Sequence, residues 1–200
     1  MVFRPSDADT TADAETLTTV PLPVKIVVAG GFAVGKTTFV GSISEIEPLT
    51  TEAALTSVSE GVDDTSKVST KTTTTVAMDF GRISLGTDLV LYLFGTPGQD
   101  RFWFMWDDLV RGAIGAVVLI DTRRLDECFP AVDYFEEQQI PFVVAVNCFD
   151  GAINHTVDAV REALGVSPDT PVVLTDARDR RSTKSTLLEL VQHALVRASV

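Results

Sequence analysis

One segment near the start of the chain has the residue types and spacing to hold phosphate groups. It reads Gly30-Gly31-Phe32-Ala33-Val34-Gly35-Lys36-Thr37, which matches the G-x-x-x-x-G-K-[ST] pattern. Glycine lets the backbone turn closely enough for successive N–H groups to point at phosphate oxygens, where the positive end of a following helix adds its field. We assign phosphate contacts to the whole segment and to the next residue, Thr38. Lys36 would reach the terminal phosphates, and Thr37 would reach a Mg²⁺ ion.

The elements around this segment predict an α/β fold. An apolar run over 24–29 precedes it, and further apolar runs occupy 75–83, 89–94, 116–120, 142–146 and 172–174. Segments long enough for a helix separate most of these runs, which is typical of parallel strands joined by helical crossovers. The short link 84–88 instead predicts an antiparallel hairpin. We expect the fold of a P-loop NTPase: a six-stranded, mostly parallel sheet with one antiparallel edge strand and helices on both faces.

Length and composition suit a single domain. The 200 residues are 45% hydrophobic, which is enough for one buried core. Residues 1–20 are acidic and contain few large apolar side chains, which predicts a disordered arm before one domain over 21–200. Within that domain, residues 49–74 are polar and rich in threonine and serine, and we interpret them as a long mobile loop.

Net charge and targeting signals narrow the range of partners. The net charge of -12 argues against nucleic acid and anionic membrane surfaces as direct partners, because both would repel the chain. No apolar run reaches the length of a membrane span, and neither a signal peptide nor a lipidation motif occurs. Cys128 and Cys148 lie in unrelated apolar contexts, as expected of thiols in a reducing compartment. We expect a cytoplasmic protein without a direct membrane anchor, which partners could recruit to a membrane.

Three further motifs follow the third, fifth and sixth predicted strands. They are Gly95-Thr96-Pro97-Gly98-Gln99, Asn147-Cys148-Phe149-Asp150 and Asp176-Ala177-Arg178. In this order they resemble the D-x-x-G-Q, N-K-x-D and S-A-K elements of Ras-like GTPases. Each follows a strand at the edge where doubly wound sheets bind their ligands, so the motifs and the phosphate-binding segment support one another.

The resemblance gives the first motif a role in sensing and hydrolysing GTP. Gly98 would sense the γ-phosphate through its N–H group, and Gln99 would be the catalytic residue that positions the attacking water. Phe32 stands where Ras-type loops usually carry a small residue, and its ring could obstruct a cation inserted toward the γ-phosphate. Slow hydrolysis is the expected consequence.

The resemblance gives the other two motifs a role in binding the base. Asp150 would accept hydrogen bonds from guanine, and Asn147 would brace the base and the phosphate-binding segment. The N–H group of Ala177 would meet the guanine oxygen, with Arg178 beside it. Cys148 replaces the lysine of N-K-x-D, so some packing on the base is lost while the hydrogen-bonding code is kept.

The metal ligands depart from the usual pattern at one position. Gly95 replaces the aspartate that normally holds a Mg²⁺-bound water. Asp79, on the neighbouring predicted strand, is the candidate replacement. Among the threonines of 72–75, alignment on the following residues selects Thr75 as the one that would ligate Mg²⁺ in the GTP-bound state. The alternative is that this threonine-rich segment is only a strand edge.

Within the superfamily, the chain most resembles the bacterial branch that includes the gliding-motility GTPase MglA. More narrowly, it resembles the actinobacterial conservon-type GTP-binding proteins found beside a roadblock-type protein. The residues that carry this resemblance are KTTTTVAMDFG (71–81), LFGTPGQDRFWF (93–104) and DTRR (121–124). The family implies a roadblock-type homodimer that regulates two switch regions, at 49–74 and 95–111.

The aromatic run 102–106 directly follows the first of these motifs. Five consecutive large apolar side chains point around the whole circumference of a helix, whereas a core-facing helix buries one stripe, so some must be exposed. We predict a partner surface around Trp103 and Trp106, with Phe104 turned away. The alternative is that the long loop before the second predicted strand covers these rings.

Three functions are compatible with these motifs. The leading hypothesis is a GTP-dependent molecular switch with slow hydrolysis, regulated by a roadblock-type partner. The second is a nucleotide-bound scaffold that no longer hydrolyses, which Gly95 and Phe32 favour. The third is a small P-loop nucleotide kinase, which would need a basic lid such as the arginine cluster at 178–181.

Overall fold

The computed structural model describes residues 20–47, 49–56, 73–98 and 100–199, with the backbone only for 49–56, 73–77 and 100–102. Strands and α-helices follow one another along the chain as β1 Leu22–Ala29, α1 Lys36–Ile43, β2 Leu49–Thr56, β3 Thr73–Leu85, β4 Leu89–Gly95, α2 Trp106–Val110, β5 Ala113–Ile120, α3 Phe129–Glu137, β6 Phe142–Asn147, α4 Val157–Leu164, β7 Val172–Thr175 and α5 Arg180–Ala198. Short 3₁₀ helices occupy Asp100–Met105, Leu125–Cys128 and Phe149–Gly151.

The strands form one mixed sheet in the order β2-β3-β4-β1-β5-β6-β7. Strand β3 is antiparallel to both of its neighbours, β2 and β4, while the pairs from β4 through β1, β5 and β6 to β7 are parallel. All six predicted strands are present, and the predicted hairpin joins β3 to β4 through Gly86, whose φ of 68° suits a tight turn. The predicted fold class, with helices on both faces of a mostly parallel sheet, is confirmed.

The sheet has one strand more than predicted. Residues 49–74 were expected to form a loop, but Leu49–Thr56 form β2 and pair antiparallel with Thr73–Phe80 of β3. Threonine is β-branched and favours extended backbone, so a threonine-rich segment can serve as an edge strand as readily as a loop. The backbone of Thr75 lies in β3, opposite Ala54. Its side chain and residues 57–72 lie outside the described part of the chain, so the switch interpretation of 49–74 stays a prediction.

The core lies on both faces of the sheet. Val27 and Ala29 of β1 point to a cluster that includes side chains of α2, α3 and α4, such as Phe135. Ile26 and Val28 point to the opposite cluster, which includes side chains of α1 and α5. A strand buried on both faces reads as a continuous apolar run rather than an alternating one, which is why β1, β5 and β6 were visible in the sequence.

The parallel topology brings the motifs to one edge of the sheet. The phosphate-binding segment directly follows β1. Gly95 is the last residue of β4 and Asn147 is the last residue of β6, and the rest of their motifs follow these two strands. The segment 176–178 directly follows β7. Because the carboxyl ends of parallel strands meet at the same edge, four motifs that are far apart in sequence are assembled at the end of one sheet.

The segment 1–19 lies outside the described residues, so the predicted acidic arm stays a prediction. Among the helices that the structure describes, none combines the length and the apolar character required to cross a bilayer.

The aromatic run after β4 differs from its prediction. Trp106 is only 2% exposed and packs in the core against Tyr134 and Phe135, so the predicted partner surface at Trp106 is wrong. The run begins as a 3₁₀ helix, in which side chains three residues apart eclipse each other. Trp103 therefore stacks on Trp106 with ring centroids 4.1 Å apart and is itself half-buried. The Phe104 side chain is 64% exposed and faces solvent.

The buried position of Trp106 predicts a large loss of stability on truncation. Trp106→Ala should lower the free energy of unfolding by about 3–5 kcal/mol, because it removes a large ring from a packed core. Phe104→Ala, the matched control, should change it by less than about 0.5 kcal/mol. Urea denaturation of the parent and both variants measures the difference. Equal stabilities of the two variants would place Trp106 outside the core.

Candidate functional site

The phosphate-binding segment forms a tight loop between β1 and α1. Gly30 and Gly35 have φ values of 140° and 105°, and Ala33 also has a positive φ, 57°. Gly35 is required for space as well as for conformation, since a methyl group added there would lie 2.8 Å from Nδ2 of Asn147. The loop therefore has the backbone conformation that the two pattern glycines predicted, and α1 begins directly after it at Lys36.

Lys36 is folded back onto its own loop. Its ammonium group donates hydrogen bonds to the carbonyl oxygens of Gly30 at 2.8 Å and Gly31 at 2.7 Å. Burial lowers the pKa of Lys36 to about 8, and this effect is partly opposed by the nearby carboxylates of Asp79 and Glu127. A bound phosphate would favour the charged form of Lys36. The attraction between Lys36 and the site's ligand is therefore strongest when that ligand is an anion.

Asp79 lies beside the threonine that ends the phosphate-binding segment. The hydroxyl of Thr37 donates to Oδ2 of Asp79 at 2.7 Å, and the Asp79 carboxylate is buried. Phe80 pairs with Phe94 across β3 and β4, which brings Asp79 next to Gly95. A methyl group on Gly95 would lie 3.0 Å from Cβ and 3.1 Å from Oδ2 of Asp79. The space that a side chain at position 95 would fill is therefore taken by the Asp79 carboxylate.

The segment after β4 lies directly on the phosphate-binding loop. A methyl group added to Gly98 would lie 2.7 Å from Nζ of Lys36, 3.2 Å from Cα of Phe32 and 3.3 Å from the carbonyl oxygen of Gly31. Only glycine fits this approach without displacing backbone. Gln99, the next residue, lies outside the described residues, so its assignment stays a prediction.

Asn147 joins the phosphate-binding loop to the loop after β7. Its Nδ2 donates to the carbonyl oxygen of Val34 at 2.9 Å, and its Oδ1 accepts from the N–H group of Ala177 at 3.1 Å. All of these groups are buried. The predicted bracing of the phosphate-binding segment is thus present in the fold, but the Ala177 N–H group, expected to meet a base oxygen, is already bonded to Asn147.

Asp150 and Arg178, both assigned to base binding, form an ion pair. Nη1 of Arg178 donates to Oδ1 of Asp150 at 2.9 Å, and the same guanidinium donates to Asp176 at 3.1 and 3.2 Å. The Asp150 side chain is 87% exposed, and its φ of 56° turns the backbone sharply after β6. Cys148 is mostly buried, and it lines the same cavity as Asn147, Phe149 and Asp150.

The loop after β5 contributes charges that the sequence analysis gave no role. The Asp121 carboxylate is buried and accepts hydrogen bonds from the Arg123 side chain at 2.8 and 2.7 Å, which holds the pKa of Asp121 below its ordinary value. The Arg123 guanidinium lies 4.4 Å from the ring centroid of Phe149. Arg124 donates to the carbonyl oxygen of Phe32 at 3.2 Å and to Glu127 at 3.0 Å. In the sequence, Asp121, Arg123 and Arg124 stood out only as part of the DTRR resemblance.

The fold thus brings together most of the predicted site. Residues of the phosphate-binding loop, Asp79, Gly98, Asn147, Asp150, Ala177 and Arg178 all lie at one edge of the sheet. Thr37 and Thr38 are both exposed at the start of α1. Phe32 is 63% exposed, with its ring on the protein surface rather than packed in the core.

Comparison with known proteins agrees with this fold. The chain is similar to an uncharacterized protein of Methanocaldococcus jannaschii, with 31% identity over 129 residues, which are 64% of this chain and 71% of the relative. In structure it is similar to the G domain of the Thermotoga maritima (T. maritima) FeoB iron transporter, with a TM-score of 0.60, 17% identity, and coverage of 86% of this chain and 99% of that domain. The FeoB G domain of Methanococcus jannaschii gives a TM-score of 0.57 at 16% identity, covering 86% and 98%.

These structural neighbours have the P-loop fold of small GTPases, and their low identity shows the fold alone. A family model described as conserved hypothetical ATP binding protein matches residues 28–197, which include β1 from Val28 and every later strand. Both the family description and the fold indicate nucleotide binding. The chain belongs to the family of conserved hypothetical ATP binding proteins.

Proposed function

We propose that this protein is a GTP-binding molecular switch that hydrolyses GTP slowly and is regulated by a roadblock-type partner, as in the MglA branch that the sequence resembles. The observation that carries the proposal is the close approach of Gly98 to Lys36. A methyl group on Gly98 would lie 2.7 Å from the lysine nitrogen. A terminal phosphate bound to Lys36 would therefore meet the segment 95–98 and displace it, so this segment would report which nucleotide is bound.

Mg²⁺ fits the residues beside Lys36. Thr37 and Asp79 offer a hydroxyl and a buried carboxylate whose oxygens are 2.7 Å apart. Oxygen ligands are those that Mg²⁺ prefers, and it usually combines one or two protein groups with phosphates and water. Thr37 would be a direct ligand, Asp79 would hold the metal indirectly, and Thr75 would be added in the GTP-bound form. The ion would neutralise phosphate charge when bound.

The position of the carboxylate can be tested by moving it. Asp79→Gly should weaken Mg²⁺ binding by about 10–100-fold, because the group beside Thr37 is lost. Gly95→Asp in that background should restore part of the affinity, since the side chain now has the space that Asp79 filled. Gly95→Asp alone should not strengthen binding, because two carboxylates would compete for one volume.

Mg²⁺ titration of the release of a fluorescent guanine nucleotide measures these affinities. Asp88→Asn, an exposed turn residue, is the control for the change in charge. An Asp79→Gly protein with the parent's Mg²⁺ dependence would show that Asp79 is only a strand residue.

Asp150 supports guanine rather than adenine as the base. A carboxylate accepts hydrogen bonds, and guanine presents two adjacent donors, whereas adenine presents a donor beside an acceptor that a carboxylate would repel. Arg178 contacts only Oδ1 of Asp150, which leaves Oδ2 available. The family description names ATP, whereas the proposal names GTP. The base that the protein binds more tightly therefore tests the proposal.

Asp150→Asn should weaken GTP and GDP at least about tenfold, because charge-assisted hydrogen bonds to the base are lost. The same change should strengthen xanthine nucleotides, whose carbonyl matches the new amide donor. Competition against a labelled nucleotide, with Asp158→Asn as the exposed control, measures both effects. Tighter binding of ATP than GTP by the parent, or ATP as the copurified nucleotide, would contradict guanine recognition.

Hydrolysis separates the switch from a non-hydrolysing scaffold. In a single-turnover assay the parent should convert bound GTP to GDP slowly, and a roadblock-type homodimer should change that rate. Gln99→Leu should lower the rate while leaving GTP affinity within about threefold, which is typical of a contact made in the transition state. Gln138→Leu, on the exposed end of α3, is the control. Tight GTP binding without turnover, with and without the partner, would favour the scaffold.

A further inference from the structure

Arg124 lies against the outside of the phosphate-binding loop. Its Nη2 donates to the carbonyl oxygen of Phe32 at 3.2 Å, although the two residues are 92 positions apart in sequence. The contact is therefore made by the fold and not by a local turn. The Arg124 side chain is 38% exposed, so its charge is only partly screened by solvent.

Two carboxylates hold the guanidinium in this place. Glu127 accepts from Nη1 of Arg124 at 3.0 Å, and Oδ2 of the buried Asp121 lies 3.6 Å from Nη2. Glu127 itself packs on the loop, since a methyl group on Gly31 would lie 2.7 Å from its Oε2. Both anchors come from the loop after β5 and its 3₁₀ helix, and together they hold Arg124 beside the Phe32 carbonyl.

The hydrogen bond from the Arg124 cation to the Phe32 carbonyl also affects the N–H group on the other side of the same peptide. In a trans peptide the C=O group of Phe32 and the N–H group of Ala33 point in opposite directions. Phosphate-binding loops of this pattern direct their N–H groups at the phosphates. A hydrogen bond from a cation to the carbonyl polarises the amide and makes its N–H group a stronger donor.

We propose that Arg124 is a positioning residue for GTP hydrolysis: it polarises the Phe32–Ala33 peptide so that the Ala33 N–H group stabilises charge on the departing diphosphate. This inference rests on the proposed GTPase function. In the reaction, the oxygen of water bonds to the γ-phosphorus while the bond from that phosphorus to the bridging oxygen breaks. The electron pair of the broken bond goes to GDP, and the other products are inorganic phosphate and a proton.

Removal of the Arg124 charge should have a moderate effect on turnover, because this charge acts through a peptide group. Loss of a donor that touches a developing charge lowers turnover about 100-fold or more, and a charge that acts through a peptide should contribute less. Arg124→Gln should therefore lower single-turnover hydrolysis about tenfold, while the affinity for GTP stays within about threefold. The affinity for GDP should fall together with turnover, because GDP carries in full the charge that develops on the departing diphosphate. Arg124→Lys keeps the charge but has one nitrogen in place of the two that contact Glu127 and Phe32, so its rate should lie between those of Arg124→Gln and the parent.

The affinities for the two nucleotides separate this role from a structural one. GDP carries the charge that the polarised N–H group stabilises, whereas the bridging oxygen of intact GTP carries little, so Arg124→Gln should weaken GDP about tenfold and a non-hydrolysable GTP analogue no more than about threefold. A brace that only shapes the loop would weaken both affinities together. The control is Arg111→Gln, whose side chain is exposed and pairs only with Asp108 among the described residues.

Several results would overturn the inference. If Arg124→Gln hydrolyses GTP at the parent rate, or if it loses GTP affinity as much as GDP affinity, Arg124 does not act through the peptide. Thermal unfolding of each variant confirms that the compared proteins are folded, and Arg124→Lys supplies a second folded test of the charge. If the parent itself does not hydrolyse GTP, the proposed function fails and this inference with it, whereas a hydrolysing parent with an unaffected Arg124→Gln variant overturns this inference alone.

Discussion

The candidate site depends on one buried side-chain amide, that of Asn147. Its nitrogen donates to the carbonyl of Val34 in the phosphate-binding loop, and its oxygen accepts from the N–H group of Ala177 after β7. A buried amide must satisfy both ends, and leaving one unpaired would cost about 1–3 kcal/mol. The two hydrogen bonds of this amide therefore hold the phosphate-binding loop in a fixed position relative to the loops after β6 and β7.

A second constraint acts beside Thr37, where there is room for a single carboxylate. Asp79 fills the space beside Gly95 and reaches Thr37 from β3 rather than from β4. The two strands are antiparallel neighbours, so a side chain on either can point to the same place. Two acids there would repel each other in a buried volume, and the glycine at 95 is the complement of the aspartate at 79.

Charge is distributed around the phosphate-binding loop in a way that suits an anion. Lys36 lies inside the loop and Arg124 outside it, each bonded to loop carbonyl oxygens. Asp121 and Glu127 balance the charge of Arg124, and Glu127 itself packs on the loop beside Gly31. The chain as a whole is acidic, with a net charge of -12, so these local cations are what makes an anionic ligand acceptable at this edge.

The sequence by itself determined six strands of the sheet, because strands buried on both faces are continuous apolar runs. It also determined the order of the motifs, because the glycines and the lysine of the phosphate-binding loop have few substitutes. It did not determine β2, since a threonine-rich segment pairs only where a neighbouring edge is available. It also misplaced Trp106, because a run of five large apolar residues does not show which of them faces the core, and tertiary packing buries Trp106 against Tyr134 and Phe135. The contact of Arg124 with Phe32 was decided by tertiary structure alone: it joins residues 92 positions apart, and no local pattern encodes which carbonyl a long side chain will reach.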